Sequence, residues 1–369
     1  MAVAISSAEL KIDTLYLLGF TVALVGFGSV MVLSATAAFE ADYFLRHLVS
    51  VVIGFLGLTS IYLMPLSFFS KHYKLFFLVA LVLAVATLLF GNEINGAQRW
   101  LKFGGFSFQI SEWGKLLLGI YLCGYLANHQ EDIDQDPKLF LFPILMVSVF
   151  SAAIVLQPDL GSAVVLILSA FCLIFVSGMK LRYFLVILLL FSSVLFFLIV
   201  RSPYRLERVI AFSNPWDDRL DSGWQLTQAL IAFGRGEWFG EGLGSSVQKL
   251  FYLPEAHNDF ILAVVAEELG IVGCWVILLF FALFVIKIFS IANRCLDRGL
   301  TFPGLASYFI GCLFSLQILI NVGVTTGVLP TKGLTLPFIS YGGNSIVVSL
   351  LLVGIVVRSL KELAVYDKN

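Results

Sequence analysis

The chain has 369 residues, of which 59% are hydrophobic and 13% charged, with 35 phenylalanines and a mean hydropathy of +0.97. Soluble domains carry roughly a quarter charged residues, so this balance excludes both a water-soluble globule and a disordered chain. The net charge of −1, from 23 basic and 24 acidic residues, lacks the basic footprint of a nucleic-acid binder.

The composition predicts an all-α polytopic membrane protein. Ten apolar stretches are long enough to read as spans, at 15–37, 48–64, 75–90, 116–126, 139–156, 162–177, 183–200, 260–289, 302–324 and 345–357. Ala35-Thr36-Ala37 imitates a signal-peptidase site, but Glu9, Lys11 and Asp13 precede the first stretch where a leader needs basic residues. That stretch reads as a retained span. The fourth is expected to begin near Ile110, with Glu112 and Lys115 in its first turns. The eighth, 30 residues long, is too long for one simple crossing. At ~1.5 Å per residue it gives ~45 Å of helix against ~30 Å of hydrocarbon, so its first two or three turns should stand proud of the membrane or line a wet cavity.

Basic residues set the orientation. With the N-terminus inside, twelve fall in cytoplasmic pieces (Lys11, Lys71, Lys74, Lys138, Lys180, Arg182, Lys287, Arg294, Arg298, Arg358, Lys361 and Lys368). Five fall in short outer pieces: Arg46, Arg99, Lys102, Lys115 and Lys332. Both termini are therefore expected in the cytoplasm, with a large extracytoplasmic loop, 201–258, between spans seven and eight. The acidic run Glu131, Asp132, Asp134 and Asp136 reads as a solvated inner loop. Five scattered cysteines, with no CxxC and no Cys/His cluster, imply neither a disulfide framework nor a zinc site.

Polar interest gathers on the outer side. Between Gly223 and Gly244 six glycines alternate with Trp224, Phe233, Trp238 and Phe239. This suits a loop folded on the bilayer surface, either to receive an amphiphile or only to pack. Arg99, Lys102, Arg205, Arg208, Arg219, Arg235, Lys249 and Lys332 are cations suited to phosphate if they converge, and snorkelling side chains if they do not.

Leu253-Pro-Glu-Ala-His-Asn-Asp-Phe260 runs directly into the eighth span, placing Glu255, His257 and Asp259 at the membrane boundary. A carboxylate there is either a helix N-cap or a base with a raised pKa. Asp259, Ala263, Ala266, Gly270 and Gly273 share one helix face, which reads as a groove for a lipid tail or as a close-packing stripe. Gln157-Pro-Asp-Leu-Gly-Ser162 and Pro337-Phe-Ile-Ser-Tyr-Gly-Gly-Asn-Ser345 break the chain at membrane depth, as cavity linings or as plain turns.

Seven segments in order resemble the SEDS family, the bacterial shape, elongation, division and sporulation proteins. They are Asn95-Gly-Ala-Gln-Arg-Trp100, Gln157–Ser162, Asn214-Pro-Trp216, Gly223-Trp-Gln-Leu-Thr-Gln228, Gly242-Leu-Gly-Ser-Ser-Val-Gln-Lys249, Leu253–Ile261 and Ser340-Tyr-Gly-Gly343. Gly327-Val-Leu-Pro-Thr-Lys-Gly-Leu-Thr-Leu-Pro337 is similar to the division branch, whereas Asn344 stands where the pattern has Ser or Thr.

The resemblance implies a single membrane domain over 1–369 and a septal peptidoglycan glycosyltransferase that polymerises lipid II at the outer face of the cytoplasmic membrane. It implies Asp259 as general base, inversion at the donor sugar and release of undecaprenyl diphosphate. Arg99, Arg208, Gln248, Lys249, His257 and Lys332 become expected substrate contacts. Mg²⁺ or Mn²⁺ is the cofactor the family suggests, with no ligand spacing here to show it. Expected partners are the undecaprenyl-linked glycan, a class B penicillin-binding protein, other divisome proteins and membrane lipids. The rival readings are a lipid II flippase and a non-enzymatic recruiter of a transpeptidase.

Overall fold

A computed structural model describes residues 7–37, 42–94, 97–103, 106–217 and 223–367. Lys368, counted above among the inner cations, lies outside the described residues. The helices are α1 (Ser7–Ala35), α2 (Asp42–Leu63), α3 (Leu66–Lys71), α4 (Tyr73–Phe90), α5 (Ile110–Asn128), α6 (Gln130–Gln135), α7 (Leu141–Leu156), α8 (Leu160–Val176), α9 (Leu181–Val200), α10 (Pro203–Ser213), α11 (Trp224–Gly236), α12 (Ile261–Asp297), α13 (Thr301–Thr325) and α14 (Gly343–Tyr366).

Each of the ten apolar stretches lies in a helix, and among the described residues seven helices are long and apolar enough to cross a membrane. The other three, α5, α8 and α14, sit inside the bundle. A helix surrounded by other helices needs no lipid-facing side, so it can be shorter or carry polar groups. Helix α5 begins at Ile110, as expected, and buries a Lys115–Glu112 ion pair at 2.6 Å. Helix α13 packs on α5, α8, α12 and α14 and forms the centre of the core. Helix α9 is the opposite case, with no residue buried.

The acidic run forms the short helix α6 where a loop was expected, with Glu131 and Asp132 exposed. The first outer segment is also more ordered than its sequence announced. It forms an antiparallel sheet of β1 (Asn92–Ile94), β2 (Ala97–Phe103) and β3 (Phe106–Gln109), in which Trp100 pairs with Gln109 and Leu101 with Phe108. Asn344 ties this sheet to the bundle, because an amide both donates and accepts. Its Nδ2 donates to the Ser107 carbonyl at 2.8 Å and its Oδ1 accepts from Trp113 Nε1 at 2.9 Å.

The long eighth stretch is broken. Gly270 has φ 69° and ψ −175°, about two and a half turns into α12. In a continuous helix the Ile271 and Val272 amides would donate to Glu267 and Glu268. Here residues 237–242 insert instead. The Glu241 and Gly242 amides donate to the carbonyls of Glu267 (2.9 Å) and Glu268 (3.0 Å), while the Ile271 and Val272 amides donate to the carbonyls of Glu237 (3.0 Å) and Trp238 (3.2 Å). All four orphaned backbone groups are thereby satisfied, as membrane depth demands. The stripe beneath Asp259 is accordingly a packing surface and not an open groove. Ala263 and Ala266 are buried, and a Cβ on Gly236 or Gly270 would collide with the backbone of Ala266 or Trp238.

Candidate functional site

Four segments meet at the end of the bundle where α12 begins. The first, 253–260, buries Leu253, Ala256 and Phe260 in the core, leaving Glu255, His257, Asn258 and Asp259 less covered. A left-handed Glu255 (φ 56°) and bonds from the Asn258 and Phe260 amides to its carbonyl make the turn. The second, 331–341, buries Leu334, Leu336 and Phe338 in the same way. Ser340 locks the two together, its hydroxyl donating to the Asn258 carbonyl at 2.7 Å and accepting from the Leu336 amide at 2.7 Å. Tyr341 adds a backbone bond to the His257 carbonyl at 2.9 Å, and its ring lies 5.4 Å from that of His257. From α13, Asn321 Nδ2 donates to the carbonyls of Asp259 at 2.9 Å and Leu334 at 2.7 Å.

The third segment is the 157–162 turn. Asp159 caps α8, accepting from the Ser162 amide at 3.2 Å, and its other carboxylate oxygen is buried with no partner among the described residues. Arg99 of β2 clasps this turn, donating to the carbonyls of Gln157 (3.2 Å) and Pro158. The fourth is α10, from which Arg208 reaches the Thr331 carbonyl at 3.5 Å.

Asp259 is half-buried and does not cap α12; no side-chain hydrogen bond to its carboxylate is seen among the described residues. A Cβ on Gly333 would lie 3.1 Å from its Oδ2, so the missing side chain leaves the carboxylate room. Burial pushes its pKa up to about 8. The carboxylates of Glu255 and Asp159 add to that rise, and the guanidinium groups of Arg99 and Arg208 oppose it. Lys332 is pushed down to about 8, chiefly by burial and then by Arg208 and Arg205, against the pull of Asp159. Burial also lowers the His257 pKa, against Glu255. The structure thus gathers Asp259, Arg99, Arg208, His257 and Lys332 in one region with Asp159, Arg205 and Glu255.

Two expected contacts lie elsewhere. Lys249 is buried, and its three donors are taken by Glu268 Oε1 (2.7 Å), Ser34 Oγ (2.8 Å) and the Gly244 carbonyl (2.7 Å). Gln248 is buried too, its backbone N–H donating to Glu267 Oε2 at 3.2 Å. These two build the anchor of the outer loop on α12. Arg235 joins that anchor through Glu267 at 3.3 Å. Arg219, and Asn95 and Gly96 of the first motif, lie outside the described residues.

The sequence reading did not rank Asp159 or Asn321 among the site residues. An isolated Asn inside the apolar run of α13 was the available signal for the second. Chemically, the arrangement is a carboxylate that takes up a proton near neutrality, ringed by cations able to bind an anion at the mouth of a membrane bundle.

The family model described as a cell cycle protein, covering FtsW, RodA and SpoVE, matches residues 14–364. A probable peptidoglycan glycosyltransferase FtsW from Coxiella burnetii is 41% identical over 360 residues, 96% of each chain. That of Aliivibrio salmonicida is 42% identical over 93% of this chain and 87% of its own. Among solved structures, a chain of a peptidoglycan synthase complex superposes with a TM-score of 0.80 at 27% identity, covering 94% of this chain and 97% of the other. The rod shape determining protein RodA of Thermus thermophilus gives 0.70 at 26% identity, over 94% and 96%. With the match running through all ten apolar helices and every segment of the site, the chain belongs to the SEDS family.

Proposed function

We propose that this chain polymerises lipid II into glycan strands at the outer face of the bacterial cytoplasmic membrane, during septal wall synthesis. The observation that carries the reading is the Asp259 carboxylate, free of capping duty and placed among Arg99, Arg205, Arg208 and Lys332. Asp259 accepts the proton of the acceptor sugar's 4-hydroxyl as that oxygen attacks the anomeric carbon of the donor. The new glycosidic bond forms from the opposite face, so the centre inverts, and the bond to undecaprenyl diphosphate breaks with its electron pair. The leaving diphosphate gains charge in that step, where the three arginines and Lys332 stabilise it. A pKa near 8 suits a base that must be deprotonated yet strong near neutral pH.

A divalent cation belongs to the same proposal. Among the described residues no cluster of three His, Cys, Asp or Glu side chains forms a cage. Mg²⁺, however, is commonly held by one or two carboxylates together with substrate phosphates. The orphaned oxygen of Asp159 fits that mode, and Mg²⁺ or Mn²⁺ bound there would supply charge neutralisation to the diphosphate. The excess of Lys and Arg at the other end of the bundle supports termini in the cytoplasm. A class B penicillin-binding protein is the proposed partner, since the structural relative sits in a peptidoglycan synthase complex.

The test is polymerisation of fluorescent lipid II in detergent, with the cognate transpeptidase present, by wild type and by Asp259→Asn. Glycan ladders from wild type alone, with both complexes intact, are expected. Equal ladders from both proteins would remove the base. Ladders from neither, with an activator supplied, would favour a flippase or a recruiter.

A further inference from the structure

A second feature lies far from Asp259. Lys287 stands 26 residues beyond Ile261 on α12, so roughly 40 Å of helix separates it from the site end. Nearby, between the first half of α1 and the second half of α12, lies an open apolar cleft of about 450 Å³ lined by Ile12, Leu15, Tyr16, Gly19, Phe20 and Phe280. Gly19 lies in its floor with open space before it, since a Cβ there would meet nothing within 4 Å. Phe20 and Phe280 meet edge to face in its lining, with ring centroids 5.4 Å apart. Leu15 is 71% exposed and Ile12 60%.

A cationic group adjoins the cleft through Tyr16 of its lining. Lys287 lies 5.7 Å from the centre of the Tyr16 ring, and Lys287 and Arg294 both pair with the single carboxylate of Asp13. Two cations against one anion leave an excess positive charge, and Arg294 Nε has no acceptor among the described residues. At the edge of a low-dielectric region such a charge calls for a counter-anion. The pair of features sets a polar demand beside an apolar one. A phospholipid meets both, and a basic pocket between membrane helices on the cytoplasmic side is a known way of holding an anionic headgroup.

We propose that this cleft binds one anionic phospholipid of the leaflet opposite Asp259, with its phosphate against Lys287 and Arg294 and one acyl chain lying over Gly19. Headgroup charge then selects the lipid, because a zwitterionic lipid brings its own cation to a site that already has an excess.

The test is native mass spectrometry of the full chain in micelles containing equal phosphatidylglycerol and phosphatidylcholine. Wild type should retain phosphatidylglycerol preferentially, by about fivefold for each cation that contributes. Gly19→Leu, which fills the cleft, should bring it down to the phosphatidylcholine level, and Lys287→Gln should lower the preference about fivefold. Arg294→Gln should lower it to the same degree while leaving Asp13 its other partner. Gly26→Leu, on the same helix and also facing open space, should change nothing. Equal retention of both lipids by wild type would overturn the proposal, leaving an ordinary acyl annulus. Unchanged phosphatidylglycerol on Gly19→Leu would put the lipid elsewhere. Loss of a co-purifying membrane protein on Gly19→Leu, with lipid retention unchanged, would make the cleft a helix-docking surface and overturn it equally.

Discussion

Asn321 spends both hydrogens of its side-chain amide on main-chain carbonyls, one on Asp259 and one on Leu334. Asp259 and the segment that carries Gly333 are therefore registered to each other through α13, and not only through the Ser340 contacts. Asn321→Ala leaves both carbonyls without this donor. It should cost about 1–3 kcal/mol of stability, and turnover should fall about 100-fold through misplacement of the base. Turnover measured beside thermal unfolding separates the two effects. Wild-type turnover in a destabilised Asn321→Ala would mean that Asp259 holds its place without the amide.

The titration of the site predicts a narrow bell. As the proposed base, Asp259 must be deprotonated, and its pKa is raised to about 8, so activity should climb through that value from the acid side. In its proposed role Lys332 must be protonated to attract the diphosphate, and its pKa is lowered to about 8, so activity should fall as pH rises past it. The optimum should thus sit near pH 8 with both limbs close to it. Glu255→Gln removes a negative neighbour that raises the Asp259 pKa, so its acid limb should move to lower pH. An acid limb that moves upward, or stays in place, would show that Glu255 does not act on the base.

Gly333 offers a gentler probe of the same carboxylate. In Gly333→Ala the new methyl would press on Oδ2 at 3.1 Å, with no backbone atom in the way, so the fold should survive. The methyl displaces water from the carboxylate and raises its pKa further. Activity at pH 7 should fall several-fold and recover partly at pH 9, read as a pH profile beside that of wild type. A uniform loss at every pH would mean that the methyl blocks the acceptor sugar instead.

How much of this was legible in the sequence depended on whether the property was local. The apolar stretches were, because span length and hydropathy belong to one segment at a time, and all ten lie in helices. The excess length of the eighth was visible, but the break at Gly270 was not. It depends on residues 237–242, which are distant in the chain and supply the four compensating hydrogen bonds. The strands on either side of Trp100 went unread because they are short and sit between spans. The cations show the limit most clearly. Lys249 and Lys332 look alike in sequence. One has its charge consumed by Glu268, whereas the other meets no carboxylate at ion-pair distance among the described residues. Only the fold decides which carboxylate reaches which lysine.

The inserted loop yields the sharpest stability prediction. Gly270 holds a backbone conformation close to the region that only glycine occupies readily, and its Cα faces the backbone of Trp238. Gly270→Ala must either strain α12, at a cost of about 1–3 kcal/mol, or straighten it. If α12 straightens, the Ile271 and Val272 amides return to Glu267 and Glu268, and residues 237–242 lose all four of their bonds to the helix. The loop is then held mainly by the Glu267 and Glu268 anchor, where Glu267 accepts from Ser246 Oγ at 2.5 Å and from the Gln248 amide. Gly270→Ala should therefore expose 237–242 to protease, and Gly270→Ala with Glu267→Gln should release the whole 237–249 segment. Limited proteolysis of the solubilised protein with mass analysis of the fragments reads both. A wild-type cleavage pattern in the double variant would show that the loop is held by something other than the break in α12.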